Sequence, residues 1–221
     1  MLRDMSQDNI LDRIARWGVV PVIAIEDAAA ALPLADALLQ GGLPVIEITF
    51  RTAAAAEVIR RITRERPQMI VGAGTVLTSA NLEAAQASGA VFGVAPGLNP
   101  QVVKQAQAMG LPFVPGVATP TDIEQGLALG CRLLKFFPAE PLGGAIMLEA
   151  LSAPYKHTGV RFMPSGGVNI TNLESYLKLA MVATVGGTWL AKADDVAAGR
   201  WDDIRNRCQA ALAIVAKVRS R

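Results

Sequence analysis

The feature that most constrains this chain is its period. Short β-branched or apolar runs return roughly every 20–30 residues, with alanine-rich helical stretches between them. The runs cover Val19–Ile25, Pro44–Phe50, Met69–Val76, Ala90–Pro96, Pro112–Ala118, Arg132–Pro138, Arg161–Gly167 and Ala183–Trp189. Between them lie Ala28–Leu39, Ala53–Arg64, Asn81–Ser88, Pro100–Met109, Asp122–Leu129, Ala145–Ser152 and Asn172–Leu179. A leading helix over Gln7–Trp17 and a closing one over Trp201–Arg219 flank the repeat. Gly41, Gly89, Gly110 and Gly130 stop several helices, and Thr78, Asn99 and Thr119 stand where polar caps start them. No Pro/Gly/Ser linker interrupts the series. The expectation is one (β/α)8 TIM barrel over residues 1–221, with an extra N-terminal helix. The rival is an open doubly wound sheet, but no Gly-x-Gly-x-x-Gly fingerprint opens the chain.

Composition removes several functional classes. The chain is 52% hydrophobic and only 5% aromatic, which suits helices packed closely on a sheet and argues against disorder. The formal charge is +2, and no basic block is interleaved with aromatics, so nucleic acid is not an expected partner. Arg60, Arg61, Arg64 and Arg66 read as the solvated end of a helix. Cys131 and Cys208 are too few for a disulfide framework or a metal knuckle, and His157 is the only histidine. A zinc site needing several such ligands cannot be assembled, and no metal is expected. The polar start MLRDMSQDNI lacks a signal-peptide core, and no apolar run reaches spanning length. A soluble cytoplasmic protein with no membrane partner is the expectation.

Lys135 is the residue that points to chemistry. It is the one ammonium in the strand run Leu133-Leu134-Lys135-Phe136-Phe137. Burial disfavours the charged form of a lysine, and a neutral amine is the nucleophile that makes a Schiff base with a carbonyl. The bland reading is a lysine that snorkels to the strand end or pairs with a carboxylate. A second strand tilts the choice. Side chains alternate faces along a strand, so Glu47, Thr49 and Arg51 share one face while Ile46, Ile48 and Phe50 suit the helix layer. The same alternation groups Val71, Ala73 and Thr75, and it groups Cys131, Leu133, Lys135 and Phe137. A carboxylate, a guanidinium and an amine then meet in one lumen. A buried ion network is weak evidence for stability, whereas strand ends in this fold carry catalysis.

Two glycine pairs complete the expected site. Ser165-Gly166-Gly167 follows the seventh strand, and Gly186-Gly187-Thr188 ends the eighth. Bare backbone N–H groups there can approach a phosphate; the alternative is a pair of tight turns that need positive φ. Pro96 and Phe137 read as apolar walls around the amine, and Glu140 as a loop carboxylate.

With these residues the chain resembles the class I aldolases for 2-keto-3-deoxy-6-phosphogluconate (KDPG), grouped with 4-hydroxy-2-oxoglutarate aldolase. The resemblance runs from about Val19 to the closing helix and rests on five stretches in order: Ile46–Thr52, Val71–Val76, Leu134–Glu140, Arg161–Val168 and Val185–Leu190. It implies that Lys135 is the Schiff-base lysine and Glu47 the proton shuttle. It also implies that Arg51 and Thr75 hold the pyruvate carboxylate while Ser165–Gly167 and Gly186–Thr188 hold the phosphate. Ser165 stands where the family usually has threonine, Thr188 where it has serine, and Ala95 where a hydroxyl residue precedes the Pro-Gly. A homotrimer is a further implication of the resemblance alone.

The expected reaction is reversible cleavage of KDPG to pyruvate and glyceraldehyde 3-phosphate, with no metal or organic cofactor. Rivals within the same chemistry are 4-hydroxy-2-oxoglutarate or the galactonate-derived epimer as substrate. Outside it stand a phosphate-binding barrel isomerase or synthase that uses Glu47 without an imine, and a non-catalytic sugar-phosphate sensor.

Overall fold

The computed structural model describes residues 7–220, and the polar N-terminal segment read above lies partly outside them. Each expected run forms strand: β1 (Val19–Ile23), β2 (Val45–Thr49), β3 (Ile70–Gly74), β4 (Phe92–Val94), β5 (Phe113–Val114), β6 (Gly116–Val117), β7 (Leu133–Phe136), β8 (Arg161–Pro164) and β9 (Val185–Gly187). All their pairings are parallel. One row runs β5-β4-β3-β2-β1-β9 and another β6-β7-β8.

Two joints turn these rows into a ring. β5 and β6 are consecutive and separated only by Pro115, which splits the single strand expected over Pro112–Ala118. Proline has no N–H for a ladder, but the Pro115 carbonyl still accepts from the Lys135 N–H at 2.8 Å. At the other joint, bridges Phe162↔Val182 and Ser165↔Gly186 tie the β8 segment to the β9 segment. The chain is therefore a (β/α)8 TIM barrel in which β5 and β6 share one position.

Helices Ala31–Gln40, Ala55–Glu65, Ser79–Ala87, Pro100–Ala108, Pro120–Ala128, Gly144–Ser152 and Leu173–Leu177 cover the outside. Ile46 and Ile48 of β2 are fully buried with Leu34, Leu38 and Ile59, the apolar layer that the alternation of β2 demands. Two helices start earlier than expected, at Ser79 and Pro120, because Thr78 and Thr119 cap them by accepting the Asn81 and Asp122 N–H groups. A 3₁₀ stretch over Ala153–Thr158, which contains His157, and a helix over Ala193–Ala197 were not expected. A turn or so of helix is too short to show an apolar period.

The helix Gln7–Trp17 closes the N-terminal side of the strands. Arg219, from the closing helix Trp201–Arg219, donates to the carbonyls of Ala15 at 2.6 Å and Ala183 at 2.8 Å. The Ala15 carbonyl lies in the last turn of the helix that leads into β1, and the Ala183 carbonyl two residues before β9, so the opposite rim is the one left for a site. The arginine cluster is a solvated face: Arg60 and Arg61 pair with Glu57, and Arg66 pairs with Asp36 at 2.6 Å. Among the described residues no helix is long and apolar enough to cross a membrane.

Candidate active site

Strand register brings the polar residues together. In β2, Glu47 stands opposite Val22 of β1 and Gly72 of β3, and it is 0% exposed. Two residues on, Thr49 donates its hydroxyl to the Ile23 carbonyl at 3.2 Å and accepts from Arg51 Nε at 3.2 Å. Arg51 itself is exposed, past the strand end. In β7, Lys135 lies opposite Gly116 and Met163 and is 6% exposed. Its Nζ is 3.7 Å from Glu47 Oε1 and 5.2 Å from the centre of the Phe137 ring.

Glycines make room for this pair, and they correct one expectation. A Cβ on Gly74 would sit 2.1 Å from Glu47 Oε1, and one on Gly72 would sit 2.1 Å from the Phe92 ring. Gly72 and Gly74 therefore face the lumen, whereas Ala73 is in register with Ile48 of the outward set. Thr75 does not share a face with Val71 and Ala73 as simple alternation demands. Its φ of 56° breaks the pleat, and it lines the cavity by that route. Gly74→Ala is expected to push the carboxylate out of line and lower kcat by about 10²-fold, the usual cost of an ångström of misplacement. Steady-state kinetics beside an unchanged circular dichroism spectrum checks it.

Neither oxygen of Glu47 has a hydrogen-bond partner among the described residues. Burial raises its pKa, against the opposing attraction of Lys135 and Arg51. A carboxyl that holds its proton above the ordinary range can both give and take one near neutral pH.

The far end of the cavity is built by the two glycine pairs, for different reasons. Gly166 and Gly167 have φ of +92° and +88°, so the tight-turn reading holds for them. Gly186 and Gly187 are required by space: a Cβ would meet Ser165 Oγ at 2.0 Å and the Trp189 ring at 1.5 Å. Ser165 is buried and donates to the Gly186 carbonyl at 3.2 Å, while Thr188 is exposed. A side chain at Gly167 would not point at an anion in the cavity. Its Cβ would instead meet Glu140 Cβ at 2.5 Å, so a substitution there disturbs the turn from behind.

An open cavity of about 120 Å³ lies between the β2 and β7 ends and the glycine turns. Its lining includes Arg51, Thr75, Pro96, Lys135, Phe137, Ser165, Gly166, Gly167, Gly186, Gly187 and Thr188. Glu47, the remaining expected residue, lies buried beside Lys135 rather than on the lining. Val22 and Val168 also line the cavity and were not singled out. Val22 is legible only through its register with Glu47, since an apolar residue in an apolar strand carries no polar signal. Among the described residues no group of three or more His, Cys, Asp or Glu side chains could hold a metal ion.

The profile of the KDPG and KHG aldolase family matches residues 10–207. A 2-dehydro-3-deoxy-phosphogluconate aldolase of Treponema pallidum is 44% identical over 94% of this chain and 98% of its own length. The KHG/KDPG aldolase of Escherichia coli K12 is 41% identical over 88% of this chain and 90% of its own. Among solved structures, KDPG aldolase from Legionella pneumophila, with pyruvate captured as a covalent carbinolamine, superimposes with a TM-score of 0.87 at 37% identity. That match covers 91% of this chain and 97% of the other. The Zymomonas mobilis aldolase with 3-phosphoglycerate gives 0.84 at 41% identity, covering 95% and 96%.

Proposed function

The chain belongs to the KDPG and KHG aldolase family, and we propose that it cleaves KDPG reversibly to pyruvate and glyceraldehyde 3-phosphate through an imine on Lys135. The observation that carries this reading is the Lys135–Glu47 pair, 3.7 Å apart at the buried base of a cavity whose other end offers neutral anion donors.

Lys135 Nζ attacks the C2 carbonyl to give a carbinolamine, and loss of water leaves a protonated imine that accepts electrons. Glu47 takes the C4 hydroxyl proton through a water, the C3–C4 bond breaks, and glyceraldehyde 3-phosphate leaves. The electron pair of that bond forms the enamine. Glu47 returns a proton to C3, and hydrolysis releases pyruvate and the free lysine. The Arg51 fork suits the substrate carboxylate, with Thr75 beside it. Pro96 and Phe137 wall the reacting carbons off from water. The turns at Ser165–Gly167 and Gly186–Thr188 take the phosphate through backbone N–H groups and two hydroxyls, the Ser165 proton turning from the Gly186 carbonyl to the anion.

The wild-type protein is expected to release pyruvate and glyceraldehyde 3-phosphate in equal amounts from KDPG. A higher kcat/KM with 4-hydroxy-2-oxoglutarate would transfer the assignment to that keto acid. Ser165→Ala and Thr188→Ala are each expected to raise KM for KDPG by about tenfold, the worth of one hydrogen bond to a charged group. Exchange of the pyruvate methyl protons, which needs no distal anion, should not change.

The barrel is read as one aldolase domain over residues 1–221, acting in the cytoplasm. Self-association as a trimer is proposed on the family resemblance, and Ile146, 83% exposed, with Met147 beside it on the helix Gly144–Ser152, is apolar surface open to a partner.

A further inference from the structure

Glu140 follows the lysine strand and lies against the back of the turn assigned above to the phosphate. Its N–H donates to the Gly166 carbonyl at 3.0 Å, and the Ala139 N–H donates to the Ser165 carbonyl at 2.7 Å. A Cβ on Gly167 would meet Glu140 Cβ at 2.5 Å and Cγ at 2.7 Å, so the stem of the acid touches the turn. Glu140 is nevertheless absent from the cavity wall. Its Oε1 instead accepts the hydroxyl of Tyr176. A Cβ on Gly144 would meet that same oxygen at 3.1 Å and Tyr176 Oη at 3.5 Å, so the glycine, with φ of +67°, leaves the pair uncrowded. Tyr176 is 0% exposed, in the helix Leu173–Leu177. Burial first, and then Glu140, raise its pKa, so the phenol remains a donor through the working range.

We propose that Tyr176 is a positioning residue: it latches the Glu140 carboxylate away from the phosphate end of the cavity. The need for a latch follows from the charges. Among the described residues Arg51 and Lys135 are the only cations on the cavity wall, and both belong to the carboxylate and imine end. The far end holds its anion with hydroxyls and backbone N–H groups alone. A carboxylate released beside that turn adds a negative charge where the wall carries no cation, and it opposes an incoming dianion.

This inference rests on the phosphate reading of the turn, and the experiment separates the two. Tyr176→Phe keeps the buried ring and removes only the hydroxyl. It is expected to raise KM for KDPG about tenfold with kcat unchanged, and to weaken inorganic phosphate binding by the same factor in calorimetry. Pyruvate methyl-proton exchange, which uses Lys135 and Glu47 without the far end, should stay at the wild-type rate and serves with circular dichroism as the folding control. Adding Glu140→Gln removes the charge, and the double variant should return to within about twofold of wild type. An unchanged KM and phosphate affinity in Tyr176→Phe overturns the latch. So does a double variant as weak as the single one, or a folded Tyr176→Phe protein that has lost pyruvate exchange. Should wild type exchange pyruvate protons but fail to cleave KDPG, the substrate reading falls, and the phosphate titration still decides the latch.

Discussion

Lys135→Arg is expected to abolish both turnover and covalent trapping by pyruvate with borohydride. The imine needs an amine that can lose its proton, and a guanidinium stays charged at every accessible pH. Arginine keeps the positive charge near Glu47, so a loss of activity cannot be laid to a broken ion pair. Removing a nucleophile on which every later step depends costs on the order of 10⁴-fold or more, not the modest factor of a lost contact. Mass mapping of the trapped wild-type protein should find the label on Lys135, which is 6% exposed at the cavity wall. Label on an exposed lysine such as Lys104 or Lys192 would remove Lys135 from the mechanism. Circular dichroism is the control, because the larger head enters a tightly packed strand.

Much of this site was legible in the sequence because a strand's period of two is rigid. Glu47, Thr49 and Lys135 face inward, as the apolar residues between them require, and the register from Val22 through Glu47 to Gly72 carries that facing around the ring. Local turn chemistry was legible too: Thr78, Asn99 and Thr119 cap their helices. What escaped was everything decided by a neighbour distant in sequence. Gly72 and Gly74 are glycine because Phe92 and Glu47 occupy the volume of their side chains, and no local pattern records that. Thr75 reaches the cavity through a single left-handed residue, which defeats alternation at the point where it matters. Gly186 and Gly187 look like a second flexible turn, yet they are fixed by the packing of Ser165 and Trp189. Tyr176 and Glu140 lie on different elements, and only the closed barrel brings them together. Pro115 divides its strand through its missing donor, and the carbonyl that it still gives to Lys135 keeps the ring whole.

Glu47→Gln should move activity and stability in opposite directions. The amide keeps the shape of the side chain but cannot carry the proton between the C4 hydroxyl and C3, so turnover is expected to fall by roughly 10²–10⁴-fold. Trapping by pyruvate and borohydride should persist, because Lys135 still forms the imine. Stability follows from the pKa of Glu47, which burial raises despite the attraction of Lys135 and Arg51. Below the unfolded value the carboxyl is protonated in both states and costs nothing. Between the unfolded and the raised folded value, the unfolded chain releases the proton that the folded chain keeps, so stability falls as pH rises through that window. Above the folded value the penalty is complete and constant. Glutamine has no proton to lose, so Glu47→Gln should lack this decline and melt at a higher temperature than wild type near neutral pH. Thermal melts of both proteins across pH, together with the kcat/KM profile, check the two halves. A variant that turns over normally would pass the proton shuttle to another group. A variant that loses turnover and also loses stability at neutral pH would mean that Glu47 is held chiefly as the counter-ion of Lys135. Slow turnover with raised stability is the outcome expected of a carboxyl kept in an unfavourable place for its chemistry.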